Sequence, residues 1–540
     1  MSRLFSDLIL YNGYIFTLNE KNPTSSALAV KEDKIVLLGS DTEIIETKGE
    51  TTQVIDLKGR TVLPGFIDTH IHPSMAGDLQ KSVIDFKTSK PESISELLQI
   101  VKNKVESVCD GEWITGWGYD DQRFVEKRHP NRFELDQVSN KNPVFLVHTC
   151  GHIAVCNSLG LNIGGIDKNT DDPKQGKIDR DFEGEPTGIL RNRAQKIIKK
   201  HLTQKDDIVF KENLRLALKK LASWGVTTIH DAWSGSNAIK AYQELLRNNK
   251  LPIRVGLMPP IANEFEGDYL NELTSLQIRT GFGDNKLKIV GVKVAVDGMI
   301  RSETAALFNG YFKQSENKGL ITIDIDELNK KIIKCNSNGL RACIHAEGDR
   351  GISVALDAIE TALNNSPHKD HRHRIEHFGL CDLDQIDRMK ALGVVPSVSI
   401  NFVYDIGEGY EQSLGTNRCN HVYPMKSLIE KGIYASCNSD WPVSEGNPLI
   451  GIYSAVTRNT WKGNSLGSNQ KISITEAIKS YTYNGAYAAF EETEKGTLEV
   501  NKLADMIVLS ENIFTTPVEN ILKIKVDITI VGGKVVYKRE

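Results

Sequence analysis

The sequence predicts an α/β protein: a (β/α)8 TIM-like barrel with a long insertion after its first strand, beside a small β-sandwich formed from both ends of the chain. Three observations lead there. His70 and His72, His345, His377 and Asp440 each stand at or just past a short, mostly apolar segment of strand-like composition. Helical patterns separate most of these segments, and alternating strand and helix favours a parallel sheet. Both chain ends read as β structure. Side chains gathered at the C-terminal ends of several strands suit a barrel, because its site is built at that one rim.

The elements follow in order. The first barrel strand is 62–67, leading into Asp68-Thr69-His70-Ile71-His72. A helical pattern over 213–222 with a Gly225 stop precedes the second strand, 226–230. Strands over 253–257 and 288–295 come next. The segments 340–344, 373–376, 394–400 and 433–439 complete eight, the fifth leading to His345, the sixth to His377 and the eighth to Asp440. Helices are expected over 238–247, 325–337, 352–363 and 383–392. The count leaves about 74–208 as an insertion far longer than an ordinary loop, holding the strand-like 144–148 and a Gly-, Asp- and Lys-rich stretch over 164–184. At the N-terminal end, 8–17 carries an Asn12-Gly13 turn signal and continues into 27–30 and 34–38; at the C-terminal end, 505–509 and 526–537 are strand-like. Neither end has enough strands to stand alone, so the two are expected to combine. The domains are therefore 1–62 and 491–540 for the sandwich and 63–490 for the barrel.

Composition narrows the function classes. With 540 residues, 40% hydrophobic and 25% charged, the chain can bury a large core. A net charge of -4, from 66 basic and 70 acidic residues, gives no broad electrostatic case for nucleic acid or a membrane surface. A small-molecule substrate is expected; a homo-oligomer is left open. Asp7 interrupts the apolar N-terminal stretch and no run approaches a membrane span, so a cytoplasmic protein is expected. The eight cysteines lack Cys-x-x-Cys spacing and read as reduced, buried thiols.

His70 and His72 are the chemical signal. Side chains at i and i+2 of a strand leave on one face, so both imidazoles would point the same way. Imidazole suits zinc, and a catalytic site needs three or more ligands with a position left for water. Two alternating polar residues also occur on solvated strand faces; the downstream histidines and Asp440 favour the metal.

Further motifs carry a resemblance: Trp113-Ile114-Thr115-Gly116-Trp117-Gly118-Tyr119-Asp120, Gly151-His152-Ile153-Ala154-Val155-Cys156-Asn157-Ser158, Lys293-Val294-Ala295-Val296-Asp297-Gly298, His345-Ala346-Glu347-Gly348-Asp349-Arg350 and Asn438-Ser439-Asp440-Trp441-Pro442. Together with the His70-x-His72 segment they resemble the amidohydrolase superfamily over essentially the whole chain. The narrower likeness is to its amidohydrolase-3 branch, the YtcJ-like and N-substituted formamide deformylase group. The resemblance implies one or two divalent ions, zinc foremost, with His70, His72, His345, His377 and Asp440 as ligands. It also implies that Lys293 carries a carbon-dioxide-derived carbamate bridging two ions; otherwise Lys293 is an ordinary ammonium paired with Asp297 or a substrate carboxylate.

His152 matches the branch's Gly-His element and is expected at the substrate, whereas His148 reads as structural. His230, at the end of the second strand, reads either as a substrate contact or as a hydrogen-bonded histidine. Trp117, Tyr119 and Asp120 read as pocket wall or as core of the insertion, and Asp349 and Arg350 as support. The expected reaction is metal-assisted hydrolysis of a non-peptide carbon–nitrogen bond, with Asp440 as general base and then general acid. The alternatives are deamination of a small heterocycle, against which Glu347 argues by standing two rather than three residues after His345, and a non-catalytic binding or regulatory protein on the same fold.

Overall fold

The computed structural model describes residues 5–79, 83–174, 176–202, 206–261 and 268–540. Residues 1–4 of the N-terminal stretch that Asp7 interrupts lie outside these. Among the described residues no helix is long and apolar enough to cross a membrane.

Two parallel sheets occupy the centre. One runs Leu287–Ile289, Arg254–Met258, Val226–Ala232, Phe66–Ile71; the other runs Val292–Ala295, Ala342–Ala346, Arg374–His377, Val395–Val398, Ser436–Cys437. Strand order follows chain order, and helices intervene, including Ser236–Arg247, Ile325–Ser337, Asp349–Asn365 and Leu383–Leu392. All six residues of Phe66–Ile71 are buried, the polar Asp68, Thr69 and His70 included, as a strand covered on both faces requires. The sheets adjoin at both edges. At one, Lys293 N donates to Pro259 O and Ile261 N to Lys293 O; at the other, Thr69 Oγ1 donates to Cys437 O and Asp440 N to His70 O.

Two expected strands are each split, for identifiable reasons. The 288–295 segment breaks at 290–291 because the chain changes partner: Val290 N donates to Leu257 O, but Val292 N to Arg341 O. The 62–67 segment breaks at Gly65. Thr61–Pro64 pairs antiparallel with Met506–Leu509, whereas Phe66–Ile71 pairs parallel with Val226–Ala232. A side chain at position 65 would put its Cβ 2.3 Å from Thr227 Cγ2, so only glycine passes between the two sheets. The change of sheet thus falls at Gly65, not between 62 and 63.

The chain ends share one sheet, in the order Lys534–Lys538, Val526–Val531, Met506–Leu509, Thr61–Pro64, Tyr14–Phe16, Thr24–Ser25. A four-stranded sheet of Lys34–Gly39, Ala27–Lys31, Ser6–Tyr11 and Lys48–Asp56 packs on it through Leu8, Leu10, Leu28 and Val30 against Val62, Met506, Val508 and Ile528. Asn12-Gly13 is not a hairpin turn, because Ser6–Tyr11 and Tyr14–Phe16 belong to different sheets. Asn12 takes the left-handed conformation, φ 58°, and its side chain donates to Asp56 Oδ1.

The 74–208 region has its own six-stranded sheet: Gly176–Arg180, Pro186–Asn192, Ile153–Cys156, Val144–His148, Ile114–Tyr119, Ile84–Asp85. Phe86, Leu97, Val101, Ile114, Leu146 and Val155 form its core. All eight cysteines are free thiols; Cys109 is exposed, contrary to expectation, and the other seven are buried.

Candidate metal centre

His70 ends up deeply buried one residue before the end of Phe66–Ile71, and His72 follows that strand. Their rings stand 5.4 Å apart. Asp440 arrives from beyond Ser436–Cys437, held by its own N–H on His70 O at 2.9 Å. Its Oδ1 lies 3.1 Å from His72 Nε2 and 3.6 Å from His70 Nε2. These three side chains offer ligand atoms within 4.8 Å of one another. Asp440 takes φ 53° and His377 φ 70°, left-handed backbone that L-residues hold at a cost and that clusters at functional sites.

The remaining expected ligands adjoin this trio. The His377 ring is 4.5 Å from that of His70 and 4.3 Å from that of His345. Lys293 Nζ lies 3.2 Å from His70 Nε2. Burial, then the charges of Lys293 and neighbouring histidines, hold His70 well below the usual imidazole range; burial and Lys293 do the same at His345, and burial, His345 and Lys293 at His377. Neutral imidazoles are what a metal needs. Burial draws Lys293 down to about 8, against the opposing carboxylates of Glu376 and Asp440.

Hydrogen bonds fix which ring nitrogens stay free. His70 Nδ1 donates to Glu376 Oε2 at 2.6 Å, leaving Nε2 toward Lys293 and Asp440. The Ser399 hydroxyl donates to Asn438 Oδ1, so it accepts from His377 Nδ1 at 2.8 Å and leaves Nε2 free. Carboxylate or hydroxyl partners behind a histidine orient it and raise its basicity as a ligand. His345 Nε2 donates to Gly298 O at 3.1 Å. Asp440 Oδ1 is buried yet has no hydrogen bond of acceptable geometry among the described residues. A carboxylate oxygen facing imidazole nitrogens in that state suits a shared cation, so the donor set fits a zinc-like ion.

The other sequence-derived residues separate. His152 is half-buried, with Nδ1 on Asn192 Oδ1 at 3.1 Å, and Asp440 lies near enough to act on its charge. Trp117 packs beside Gly151, next to His152. Asp120 accepts from Arg301 Nη2 at 2.9 Å and lines a small cleft with Lys87, Arg123, Thr149, Asp405 and Glu445. Tyr119, by contrast, belongs to the insertion's core, fully buried with its hydroxyl 3.3 Å from His129 Nδ1. His230 lies two residues before the end of Val226–Ala232; its Nδ1 accepts from Arg374 Nη1 at 2.9 Å. Asp297 is spent on the N–H groups of Ala306, Glu347 and Gly348, and no ion pair joins it to Lys293 among the described residues. Asp349 Oδ1 accepts from Phe308 N and Arg350 N, a bracing role. His148 is buried between Asp121 and Cys150 and forms with Asp121 and His129 a second group of potential ligands. Its Nδ1 accepts from Cys150 N and its Nε2 faces Asp121 at 3.0 Å, a complete hydrogen-bond network without an ion.

Sequence reasoning missed Glu376 and Arg374, which form a fully buried pair behind His70, with Arg374 Nε on Glu376 Oε1 and Nη2 on Oε2, each at 2.8 Å. It also missed Asp68, which accepts from Ser439 Oγ and His70 N and so ties the first strand to the Asp440 turn. Opposite charges at i and i+2 inside a buried strand were the available signal.

The profile of the Amidohydrolase family matches residues 53–537. The chain is 30% identical to Protein LONG AFTER FAR-RED 3 of Arabidopsis thaliana, over 99% of this chain and 92% of that one. It is 26% identical to the N-substituted formamide deformylase of Arthrobacter pascens, over 99% and 98%. Among solved structures, an uncharacterized metal-dependent hydrolase from Pyrococcus horikoshii OT3 superposes with a TM-score of 0.76 at 28% identity, covering 95% of this chain and 99% of that one.

Proposed function

The chain belongs to the amidohydrolase family, and from that membership we propose a metal-dependent hydrolase that cleaves a non-peptide carbon–nitrogen bond, foremost an amide, in a small molecule. The carrying observation is the meeting of His70, His72 and Asp440, from opposite ends of the strand order, beside His345, His377 and Lys293. The same reading takes the two parallel sheets as arcs of one eight-stranded barrel over about 66–490, with 74–208 inserted over its rim and the shared terminal sheets as a sandwich. His70, His72, His345, His377 and Asp440 would hold one or two divalent ions, zinc foremost, with Lys293 bridging them as a carbamate. When bound, such an ion acidifies water toward a pKa of about 7 and polarises a carbonyl.

The side chains do the rest. Asp440 accepts the proton of the attacking water and passes it to the leaving nitrogen. Glu376 and Ser399 hold His70 and His377 in the tautomers that keep Nε2 free. His152 and the Asp120–Arg301 pair face the substrate, and the insertion limits entry of bulk water. Glu347 is engaged elsewhere: it is buried and accepts from the Tyr423 hydroxyl at 2.8 Å and from Ile300 N at 3.2 Å, which argues against its reaching a substrate as the proton donor of a deamination.

The likeness to a formamide deformylase supports putting N-formyl compounds first in a screen. Zinc-loaded protein is assayed against N-formyl, N-acyl, ester, cyclic amide and aminated heterocycle panels. Amine released from an amide or formamide is the expected result; ammonia from heterocycles alone would replace the proposal with deamination, and no turnover together with less than about half a zinc ion bound per chain would refute it.

A further inference from the structure

A second chemical environment lies toward the other end of the parallel strands. Arg341 directly precedes Ala342–Ala346, four residues before His345, so at a strand's rise the two are about 13 Å apart along the chain. A cavity of about 360 Å³ opens there, lined by Arg341, Lys288, Thr280, Asn336, His368 and Phe490 among others.

Arg341 is unlike the other large buried cations. Arg254 is paired with Asp505 through two nitrogens, Arg374 with Glu376, and Lys288 and Lys495 share Glu491. Arg458 has no carboxylate, but its Nε, Nη1 and Nη2 each reach a backbone carbonyl. Arg341 is 2% exposed and its guanidinium bonds only Ala488 O, through Nη1; Nε and Nη2 have no acceptor among the described residues. Burial, with the like charges of Arg374 and Arg372, draws it down to about 10. The Glu491 carboxylate acts on its charge but is bonded to Lys288 and Lys495 instead, and a buried guanidinium with two unpaired nitrogens is costly; an oxyanion is the partner that suits it chemically. The guanidinium lies over the Phe490 ring at 4.4 Å, an arrangement that leaves the N–H edge for in-plane bonding.

The neighbours are donors. Thr280 Oγ1 accepts from Arg341 N, so its own hydrogen is free to give. His368 is exposed at the mouth. Asp370 is committed to Arg372, and His371 and His373 are spent on Leu392 O and Asn336 Oδ1. We propose that this cavity binds a small oxyanion, a carboxylate or a phosphate, through Arg341 with Thr280, Lys288 and His368 around it. The site is separate from the metal centre and independent of the reaction proposed above.

The metal-loaded full chain is titrated calorimetrically with inorganic phosphate and, separately, with succinate, at constant ionic strength in chloride, and again after chelation of the metal. Saturable binding of one anion per chain is expected to survive chelation and to weaken at least about tenfold in Arg341→Gln, since bonds to charged donors are the strong ones. Whichever anion binds identifies the class. Because Arg341→Gln replaces a buried residue, wild-type crystals soaked in selenate give a second reading: anomalous signal within hydrogen-bonding distance of the guanidinium is expected. Binding that disappears with the metal, no saturation by either anion up to about 10 mM, or unchanged affinity in a folded Arg341→Gln protein would each overturn the proposal.

Discussion

Replacing Glu376 by glutamine tests how much of the metal centre's affinity is stored behind it. The carboxylate is fully buried and accepts His70 Nδ1 at 2.6 Å while Arg374 clasps both of its oxygens. An amide can present an oxygen to only one side. With its oxygen toward His70 and Arg374 Nη2, its NH2 group meets Arg374 Nε, donor against donor; with the reverse rotamer it meets His70. Either way the Arg374 charge loses its counter-ion, and breaking a buried pair from one side costs about 3 to 5 kcal/mol of folding free energy. The effect on the metal is separable. Loss of an orienting carboxylate behind a ligand histidine lowers affinity about 10- to 100-fold, or about 1.4 to 2.7 kcal/mol. Competition against a chromophoric chelator reads the zinc affinity, and urea denaturation of the metal-free protein reads the stability. Zinc affinity within about twofold of wild type would refute the orienting role, whatever the stability change.

Asp440→Asn is expected to fold, to keep much of its metal and to lose at least about 100-fold in kcat on an amide substrate; unchanged kcat would place the proton elsewhere. Lys293→Ala is expected to hold one ion fewer by elemental analysis, with partial rescue of activity by short-chain carboxylates, and wild-type metal content would reduce Lys293 to an ordinary amine. Asp505→Asn removes the bidentate partner of buried Arg254 and is expected to cost about 3 to 5 kcal/mol in denaturant unfolding. Burial alone would raise the Asp505 pKa, but the Arg254 charge and hydrogen bonds outweigh it and hold the carboxyl below its ordinary value of about 3.9. That contribution is therefore complete above the unfolded value and fades as pH falls through the lower folded one; in Asp505→Asn this acid-dependent part of the stability curve is expected to be absent.

Helices with strong end signals were legible in place. Ile325–Ser337 starts after Asp324, and Leu383–Leu392 runs from an Asp382 capping box to the left-handed Gly393, as their apolar periodicity predicts. Strand limits were less so, because an apolar run does not reveal which neighbour it pairs with. The 433–439 run yields only Ser436–Cys437 as strand, and 288–295 divides where it exchanges partners. At the centre, His70, His72 and Asp440 were readable as ligand-type residues following strand-like runs, and the structure gathers them. Glu376 was passed over inside a strand read for its apolar character, since a buried salt bridge looks in sequence like a polar interruption. Tyr119 was readable either as pocket wall or as core of the insertion, and a register shift at Gly118, φ 87°, takes it off the face it would share with Trp117 and into that core.

The pairing of Thr61–Pro64 with Met506–Leu509 has a consequence for biosynthesis. The strand that leads directly into His70 takes its neighbour from a segment made more than four hundred residues later, a delay of about 20 to 90 s at ordinary translation speeds. Until then its edge lacks that partner, and unpaired edges invite association with other chains. Ribosome-bound chains halted before Met506 should therefore be more dependent on chaperones than released full-length chains, and the candidate metal-ligating histidines should gain protection from chemical modification only on release, when the last strands emerge.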